Sequence, residues 1–571
     1  MKFGKRRLAL IILLVSMVAV SGALIIRDAL GSQRDLRTIK NAAAGITSSE
    51  NLSKIKPLFQ VVSPAVKDIA NRIAHPWIRP VLWAFLGVEG GNATVSALHE
   101  FSLALPNLNL GANALATSTK HGLRSIDLSA FDVASKQLAL AMPHLDLARQ
   151  DLRKVNPQRL PASLRKRFES LIVLSSNSSN VLPAMEILQS ALGANHAMRW
   201  LVVAQNPAES RGTGGIVGAY AIITAINGRL GVEQVGTDNN LHSLNAPPID
   251  LGPDFNALYG TDPGIWQNTT LSPDFPSDAR IMVALWQKQS GEQVDGVIAV
   301  DPFVLAAILK ASGPIYPPGG VAVNSTNVVA ESLSLAYQRF TNQAERKLYL
   351  ANLFGLTLKR LLTSGVSPVS LALDLRGPLA EKRILVWSAD KKLESDIRSV
   401  GIAGSLATDG PGTYRVVVAN TAGNKMDYYL ERQVDLRVES CKPQSRVRVT
   451  ARFLLNVPKN ERLVDYVAGR LDFGEPTSQG GSSSLRLSFY APPGSTLDSI
   501  SIDGQAVGAV EGREQGREVA VLALELSPRI PTTIEAVFLG PVSRAAPQVI
   551  TQPLVRPQHT NIFPGCSRVK P

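Results

Sequence analysis

Asn206-Pro207-Ala208-Glu209-Ser210-Arg211-Gly212-Thr213-Gly214-Gly215 lies between two apolar runs, Leu201 to Ala204 and Tyr220 to Ile226. This order predicts a strand, then a loop with one arginine, one carboxylate and three glycines, then a second strand. Glycines let backbone N–H groups approach an oxyanion closely, and an arginine adds a fork of donors. The stretch reads as an anion site. The competing reading is a glycine-rich turn that only reverses the chain.

On the C-terminal side, Asn227-Gly228 supplies the two positive-φ positions of a type I′ turn, so Tyr220–Ile226 and Arg229–Val235 form a hairpin. Val297 to Val300 is a short buried strand, and Asp301-Pro302 opens a helix that stops at Gly313-Pro314. Asp at the N-cap, Pro at N1 and Gly past the end are helix punctuation, which makes Asp301 a cap rather than a catalytic acid. Another helix is predicted from near Asn327 to Leu362, carrying Arg339, Gln343 and Arg346. At 100° per residue the two arginines stand about 20° apart around its axis. They form either a solvated stripe or a bidentate grip on phosphate.

On the N-terminal side, residues 32–197 carry helical signals. Leu138, Met142, Leu145 and Leu152 recur at the period of one buried helix face, and Pro57, Pro106, Pro143, Pro157 and Pro161 divide the region into segments. Trp77, Trp83 and Phe85 are expected to pack internally. After Gly401 the pattern alternates: Leu430, Val434, Leu436 and Val438 are interleaved with Glu431, Gln433, Asp435 and Arg437, and similar runs follow at Val447–Leu455 and Leu485–Phe489. Several such strands predict a β-sandwich of about 150 residues.

Leu8 to Ile26 contains no charge and follows Lys2, Lys5, Arg6 and Arg7. Such a run spans about 29 Å, close to the roughly 30 Å of a bilayer core, and its basic flank belongs in the cytoplasm. A cleaved signal peptide competes, with Ala19-Val20-Ser21 as one small-residue site, but the apolar run continues to Ile26, which favours a retained anchor. The expected fold class is therefore α+β and multidomain. Its parts are a cytoplasmic tail (1–7), a transmembrane anchor (8–26), a helical region (32–197), a central α/β domain (198–400) and a C-terminal β-sandwich (401–571). The expected location is the cell membrane, single-pass, with the N-terminus cytoplasmic and the main body extracellular.

A formal charge of +13 suits membrane lipid and anionic polymers as partners. Sparse aromatics and the absence of a long basic run argue against a nucleic-acid reader. Cys441 and Cys566 are the two cysteines, and an exterior compartment predicts a disulfide between them. The seven histidines are scattered, with neither a His-x-x-x-His pair nor a Gly-x-Ser-x-Gly elbow, which argues against a zinc site or a serine triad.

Four segments, Leu201–Gly215, Asn227–Leu230, Val294–Pro302 and Asn420–Tyr429, resemble the signatures of the bacterial envelope family catalogued as domain of unknown function 4012. That family has no assigned activity and is commonly met in Gram-positive, high-GC bacteria near surface-polysaccharide functions, so the resemblance implies an envelope role. The central region also resembles, more remotely, the LytR–CpsA–Psr phosphotransferases, which move a glycopolymer from a polyprenyl-pyrophosphate carrier to the cell wall. By that resemblance Arg211 matches the first arginine, Asp238 the carboxylate after the hairpin, and Arg339, Gln343 and Arg346 the pyrophosphate cluster on the late helix. Two departures stand out. Gly214-Gly215 falls where that family has a metal-holding aspartate, and Thr237 replaces an arginine. Phosphoryl transfer depends on such charges.

Three readings remain at this point. The first is a binding protein for anionic glycopolymer or a polyprenyl-phosphate-linked precursor, with Glu209, Arg211, Asp238, Arg339, Gln343 and Arg346 as its site and no cofactor. The second is an active transferase using a divalent metal such as magnesium, with Glu209 or Asp238 as ligand. The third is a structural envelope scaffold.

Overall fold

The computed structural model describes residues 70–118, 123–160, 181–366, 368–461, 463–472, 481–543 and 545–565, with residues 64, 67, 68 and 165. The expected tail 1–7, anchor 8–26 and Cys566 lie outside the described residues. The chain divides into two compact units.

The first unit contains α1 (Arg79–Ser118), α2 (Leu128–Arg153) and α3 (Val181–Ala191). α1 and α2 pack along one another. Ala97, Leu98, Phe101, Ala104 and Leu105 of α1 are buried, as are Phe131, Ala134, Ala141 and Met142 of α2. Asp127 starts α2 by accepting from the backbone N–H groups of Ser129 and Ala130 at 3.0 and 3.2 Å. Pro106 and Pro143 sit inside these helices rather than dividing them. A proline removes one backbone bond, at about 3 kcal/mol, and burial along a long helix offsets that. The actual break in α1 falls at Gly87, whose φ of 78° is one that L residues rarely adopt. Trp77 and Phe85 are 81 % and 60 % exposed, contrary to expectation. Leu82 and Leu86 take the buried face, and Phe85, about 100° round the axis from Leu86, falls off it. By length and composition α1 is apolar enough to cross a membrane, and 44 % of its most apolar window is buried within the molecule.

The second unit opens with a mixed sheet of β1 (Met198–Arg211), β2 (Gly214–Ile226), β3 (Arg229–Thr237), β4 (Gly296–Val300) and β5 (Leu385–Ser388), in the order β3-β2-β1-β4-β5. Asn227 and Gly228, at the β2–β3 tip, have φ of 48° and 78°, the left-handed pair that their sequence asks for. That tip, residues 225–231, belongs to the first unit. β1 and β4 are parallel, Trp200 facing Gly296 and Ala204 facing Val300, while β5 runs antiparallel to β4. Parallel neighbours need a crossover, supplied here by α4 (Pro253–Tyr259) and α5 (Phe275–Ser290). Asp301 caps α6 (Pro302–Ser312) through Phe303 N and Val304 N at 2.9 and 3.2 Å, and Gly313 closes it at φ 88°.

Where one helix is predicted over 327–362, the chain breaks. A helical stretch over 328–339, with a π-helical middle at Glu331–Leu335, ends at Phe340 (φ −108°, ψ 105°). The Asn342 side chain then accepts from Ala344 N and Glu345 N at 2.9 and 3.1 Å and starts α7 (Gln343–Thr363). Arg339 and Arg346 therefore stand on different helices. α8 (Pro368–Ala380) and α9 (Lys391–Ser399) follow.

After residue 401 two further sheets appear among the described residues. One holds β6 (Thr413–Asn420), β9 (Ser483–Ala491), β12 (Val510–Glu514), β13 (Arg517–Leu526) and β15 (Gln548–Ile550). The other holds β7 (Leu430–Ser440), β8 (Ser445–Leu455), β10 (Thr496–Ile502), β11 (Gln505–Ala506), β14 (Thr532–Gly540) and β16 (Gln558–Phe563). Phe453, Phe489, Phe538, Leu485 and Val449 belong to one core shared by both. Leu430, Val434 and Leu436 are buried as their alternation predicts, and Arg432 is buried in the same phase. β15 pairs in parallel with β6, and β16 in parallel with β7, so residues 548–563 cover one edge of each sheet. Cys441 is disulfide-bonded.

The helices flanking the mixed sheet pack on Val417, Tyr490 and Val519 of the five-stranded sheet, around Phe275 and Trp286. Tyr220 and Trp286 meet edge to face at 5.4 Å. Beside this core, the buried Glu514 carboxylate accepts from Tyr490 OH at 2.6 Å, Tyr259 OH at 2.9 Å and Ser272 Oγ. Burial pushes its pKa up to about 7, from an ordinary 4.5. Between those two values the folded chain holds more protons than the unfolded one, so this group's contribution to stability falls as pH rises from 4.5 to 7. Asp278 nearby is raised by burial and by Glu514, which acts in the same direction. Thermal melting of this unit should therefore drop between pH 5 and 7.5, and Glu514→Gln should flatten that slope. An unchanged slope in the variant would refute the assignment.

Candidate functional site

The opening motif is mostly strand. Asn206 to Arg211 continues β1, and only Gly212-Thr213 turns before β2 begins. A β-carbon at Gly212 would press on the Leu271 carbonyl and Ser272, and one at Gly215 on the Asn206 peptide. These glycines admit backbone rather than an anion.

Arg211, 6 % exposed, is enclosed by protein. Its Nη1 donates to the carbonyls of Ser210 and Asn420, both at 2.9 Å, and its Nη2 to Asn268 Oδ1 at 3.0 Å and Glu209 Oε1 at 3.4 Å. Burial draws its pKa down against the pull of Glu209 and Asp427. Glu209 also forms a buried ion pair with Lys425. Burial alone would raise the Glu209 carboxyl, but the Lys425 and Arg211 charges outweigh it and hold it below its ordinary value. Burial likewise opposes the Lys425 ammonium, and Glu209 raises it. Asp427 Oδ2 accepts from Ser210 N at 2.8 Å. The two signatures, 201–215 and 420–429, are thus partners: Arg211 with Asn420, Glu209 with Lys425, Ser210 with Asp427.

Beside this knot lies a cavity of about 260 Å³. Of the residues expected at one site, Glu209, Asp238 and Arg346 line it, while Arg211, Arg339 and Gln343 do not. Arg339 is exposed and grips Glu331 bidentately at 2.7 and 2.9 Å. Gln343 is exposed at the start of α7. Asp238 Oδ2 accepts from Gln267 Nε2 and Lys347 Nζ, both at 2.9 Å, and its buried Oδ1 has no partner.

Arg346 is 2 % exposed. Its Nη1 donates to the Phe340 carbonyl at 3.0 Å, and its guanidinium carbon lies 3.9 Å from the ring centre of Tyr466 and 5.2 Å from that of Tyr337. Its buried Nη2 has no hydrogen-bond partner, and among the described residues no carboxylate is within ion-pair distance. Tyr337 OH is held by Asn206 Nδ2 at 2.5 Å, which ties this cation's support back to β1.

Sequence reasoning missed Tyr337, Lys347, Lys425 and Tyr466 in the lining. Lys347 adjoins Arg346, and Lys425 lies within a quoted signature, so both were within reach. Tyr466, on the short helix α10 (Asp465–Ala468), carries no such signal. The charged lining thus comprises three cations and two carboxylates. The same cavity is also lined by apolar side chains, Leu305, Leu333, Leu350, Leu353, Phe354 and Leu471. The lining thus offers cations for an anion and apolar surface for a hydrocarbon.

Breaking a buried pair strands a charge, at roughly 3–5 kcal/mol. Lys425→Met should therefore destabilise by about 3 kcal/mol, while Glu209→Gln combined with Lys425→Met should cost less than the sum of the single changes in chemical denaturation. Additive losses would show that the two groups do not act as a pair.

No curated protein matches the chain. Residues 195–337 match the family model described as protein of unknown function (DUF4012), a segment that runs from just before β1 to Tyr337 and includes Glu209, Arg211 and Asp238. Over that segment the chain carries a domain of the DUF4012 family.

Proposed function

We propose that this protein is a single-pass, membrane-anchored envelope protein whose extracellular body binds a polyprenyl-phosphate-linked precursor or a related anionic glycopolymer. The observation that carries the reading is Arg346: a buried guanidinium with an unpartnered Nη2, no carboxylate within ion-pair distance among the described residues, and several leucines in the lining of the same cavity. A buried cation without a counter-ion is costly, and a phosphate is a natural bidentate partner for arginine. The leucines of the lining accommodate the first isoprene units. At about 260 Å³ the cavity is near the lower end of ligand sites, roughly 300–1,000 Å³. It takes a head group and the start of a chain and leaves the rest outside.

The donor set does not fit a magnesium ion. Asp238 already faces Lys347, Glu209 already faces Lys425 and Arg211, and among the described residues no three His, Cys, Asp or Glu side chains group to hold a metal. Binding without metal-assisted transfer is thus the reading these residues support. We also read the mixed sheet with its helices as related to the LytR–CpsA–Psr fold, and the two sheets after residue 401, which share one core, as a β-sandwich.

Full-length protein in detergent, titrated with a C15 prenyl phosphate and with the corresponding alcohol, should bind the phosphate and not the alcohol. Arg346→Gln should weaken phosphate binding by about tenfold or more, with the melting temperature checked so that loss of fold is not mistaken for loss of affinity. Equal affinity for the phosphate and the alcohol, or no binding of either, would overturn the proposal.

A further inference from the structure

A second cavity, of about 350 Å³, lies in the same compact unit, where the start of β6, the end of α9, the 401–405 loop and residues 548–553 come together. Its lining mixes apolar side chains such as Leu385, Val417 and Ile550 with polar ones, and its charged members are mainly cationic. Arg415 is answered by Asp409, which it grips at 2.7 Å through both Nε and Nη2. Arg398 is answered by Glu394 at 2.7 Å and also donates to Ser405 Oγ at 3.0 Å.

Lys382 has no such answer. It donates to the Gly401 carbonyl at 2.6 Å, and among the described residues no carboxylate lies within ion-pair distance. Burial, and then the Arg415 charge, pull its ammonium below the ordinary lysine value, and the Asp409 charge offsets them only in part. Its backbone sits at φ 61°, a left-handed conformation uncommon for a residue with a β-carbon. Behind Thr413, which lines the cavity, Arg517 is fully buried; it donates to the Thr413 carbonyl, and its Nε has no partner. Three cations, Lys382, Arg398 and Arg415, thus line one opening with a single carboxylate, Asp409.

The rest of the lining selects the kind of anion. Ser399, Ser405, Thr408, Thr551 and Gln548 offer hydroxyl and amide groups, and among the described residues no aromatic ring lines the cavity. A nucleobase or an aryl group would find nothing to stack on, whereas a polyhydroxylated ligand would find donors and acceptors on several sides. The space also exceeds what a bare inorganic anion fills. We propose that this cavity binds an anionic sugar, a hexose bearing one carboxylate or one phosphate, with Lys382 as the principal contact to its charge. This goes beyond the prenyl-phosphate reading and does not rest on it, since the two cavities share no charged residue.

The test is calorimetric titration of the full-length protein with glucuronate, glucose 6-phosphate, glucose and inorganic phosphate. Glucuronate, glucose 6-phosphate or both should bind; whichever does identifies the anion. Glucose and inorganic phosphate should bind at least tenfold more weakly. Lys382→Gln should lower affinity about tenfold or more, Lys382→Arg should keep it within about threefold, and Arg346→Gln should leave it unchanged. Binding of neither charged sugar, inorganic phosphate binding as tightly as the sugars, or affinity insensitive to Lys382→Gln would overturn the proposal. Loss of affinity in Arg346→Gln would also overturn it, by returning the ligand to the first cavity.

Discussion

The Glu209–Lys425 ion pair is the constraint around which the second compact unit is arranged. A carboxylate and an ammonium withdrawn from water are tolerable only while they face each other. The far end of β1 and the segment 420–427 lie more than two hundred residues apart in sequence, yet without β1 the Lys425 ammonium is stranded, and without Lys425 the Glu209 carboxylate keeps only Arg211, at 3.4 Å. Once they meet, Ser210 N reaches Asp427, Arg211 reaches the Asn420 carbonyl, and Asn206 holds Tyr337 beneath Arg346. Of these residues Asn206, Glu209, Tyr337 and Lys425 also line the candidate site. Substitutions there will alter stability and binding together.

The features legible in the sequence are those governed by local rules. Asn227-Gly228 requires two left-handed residues and obtains them, and Asp301-Pro302 starts a helix because the aspartate reaches the next free N–H groups. The alternation in β7 identifies its buried face, since side chains on a strand point to opposite sides in turn. Of the site, Glu209, Asp238 and Arg346 were legible as a set, although their common cavity needs contacts from α7 and from beyond residue 420.

The misreadings share a cause. Helical spacing relates Arg339 to Arg346 only if the helix continues, and the turn at Phe340 followed by the Asn342 cap sends one to solvent and the other inward. Prolines 106 and 143 look like stops in isolation, but tertiary burial along α1 and α2 overrides a single lost hydrogen bond. Arg211 in a glycine-rich stretch resembles an anion clamp until its acceptors are counted, and they are the protein's own carbonyls and side chains. A motif of this kind indicates that donors converge on acceptors. It does not say whether the acceptors come from outside.

The position of residues 548–563 has a consequence for biosynthesis. An uncovered strand edge is a row of unpaired N–H and C=O groups that invites another chain to pair with it. Here one edge of β6 and one edge of β7 are both closed by this late segment, through β15 and β16. A chain is made from its N-terminus, so both sheets stand open on that side until these residues emerge. During that interval the nascent protein is at its most prone to aggregate, and a factor that shields exposed strands would be needed then rather than after folding is complete.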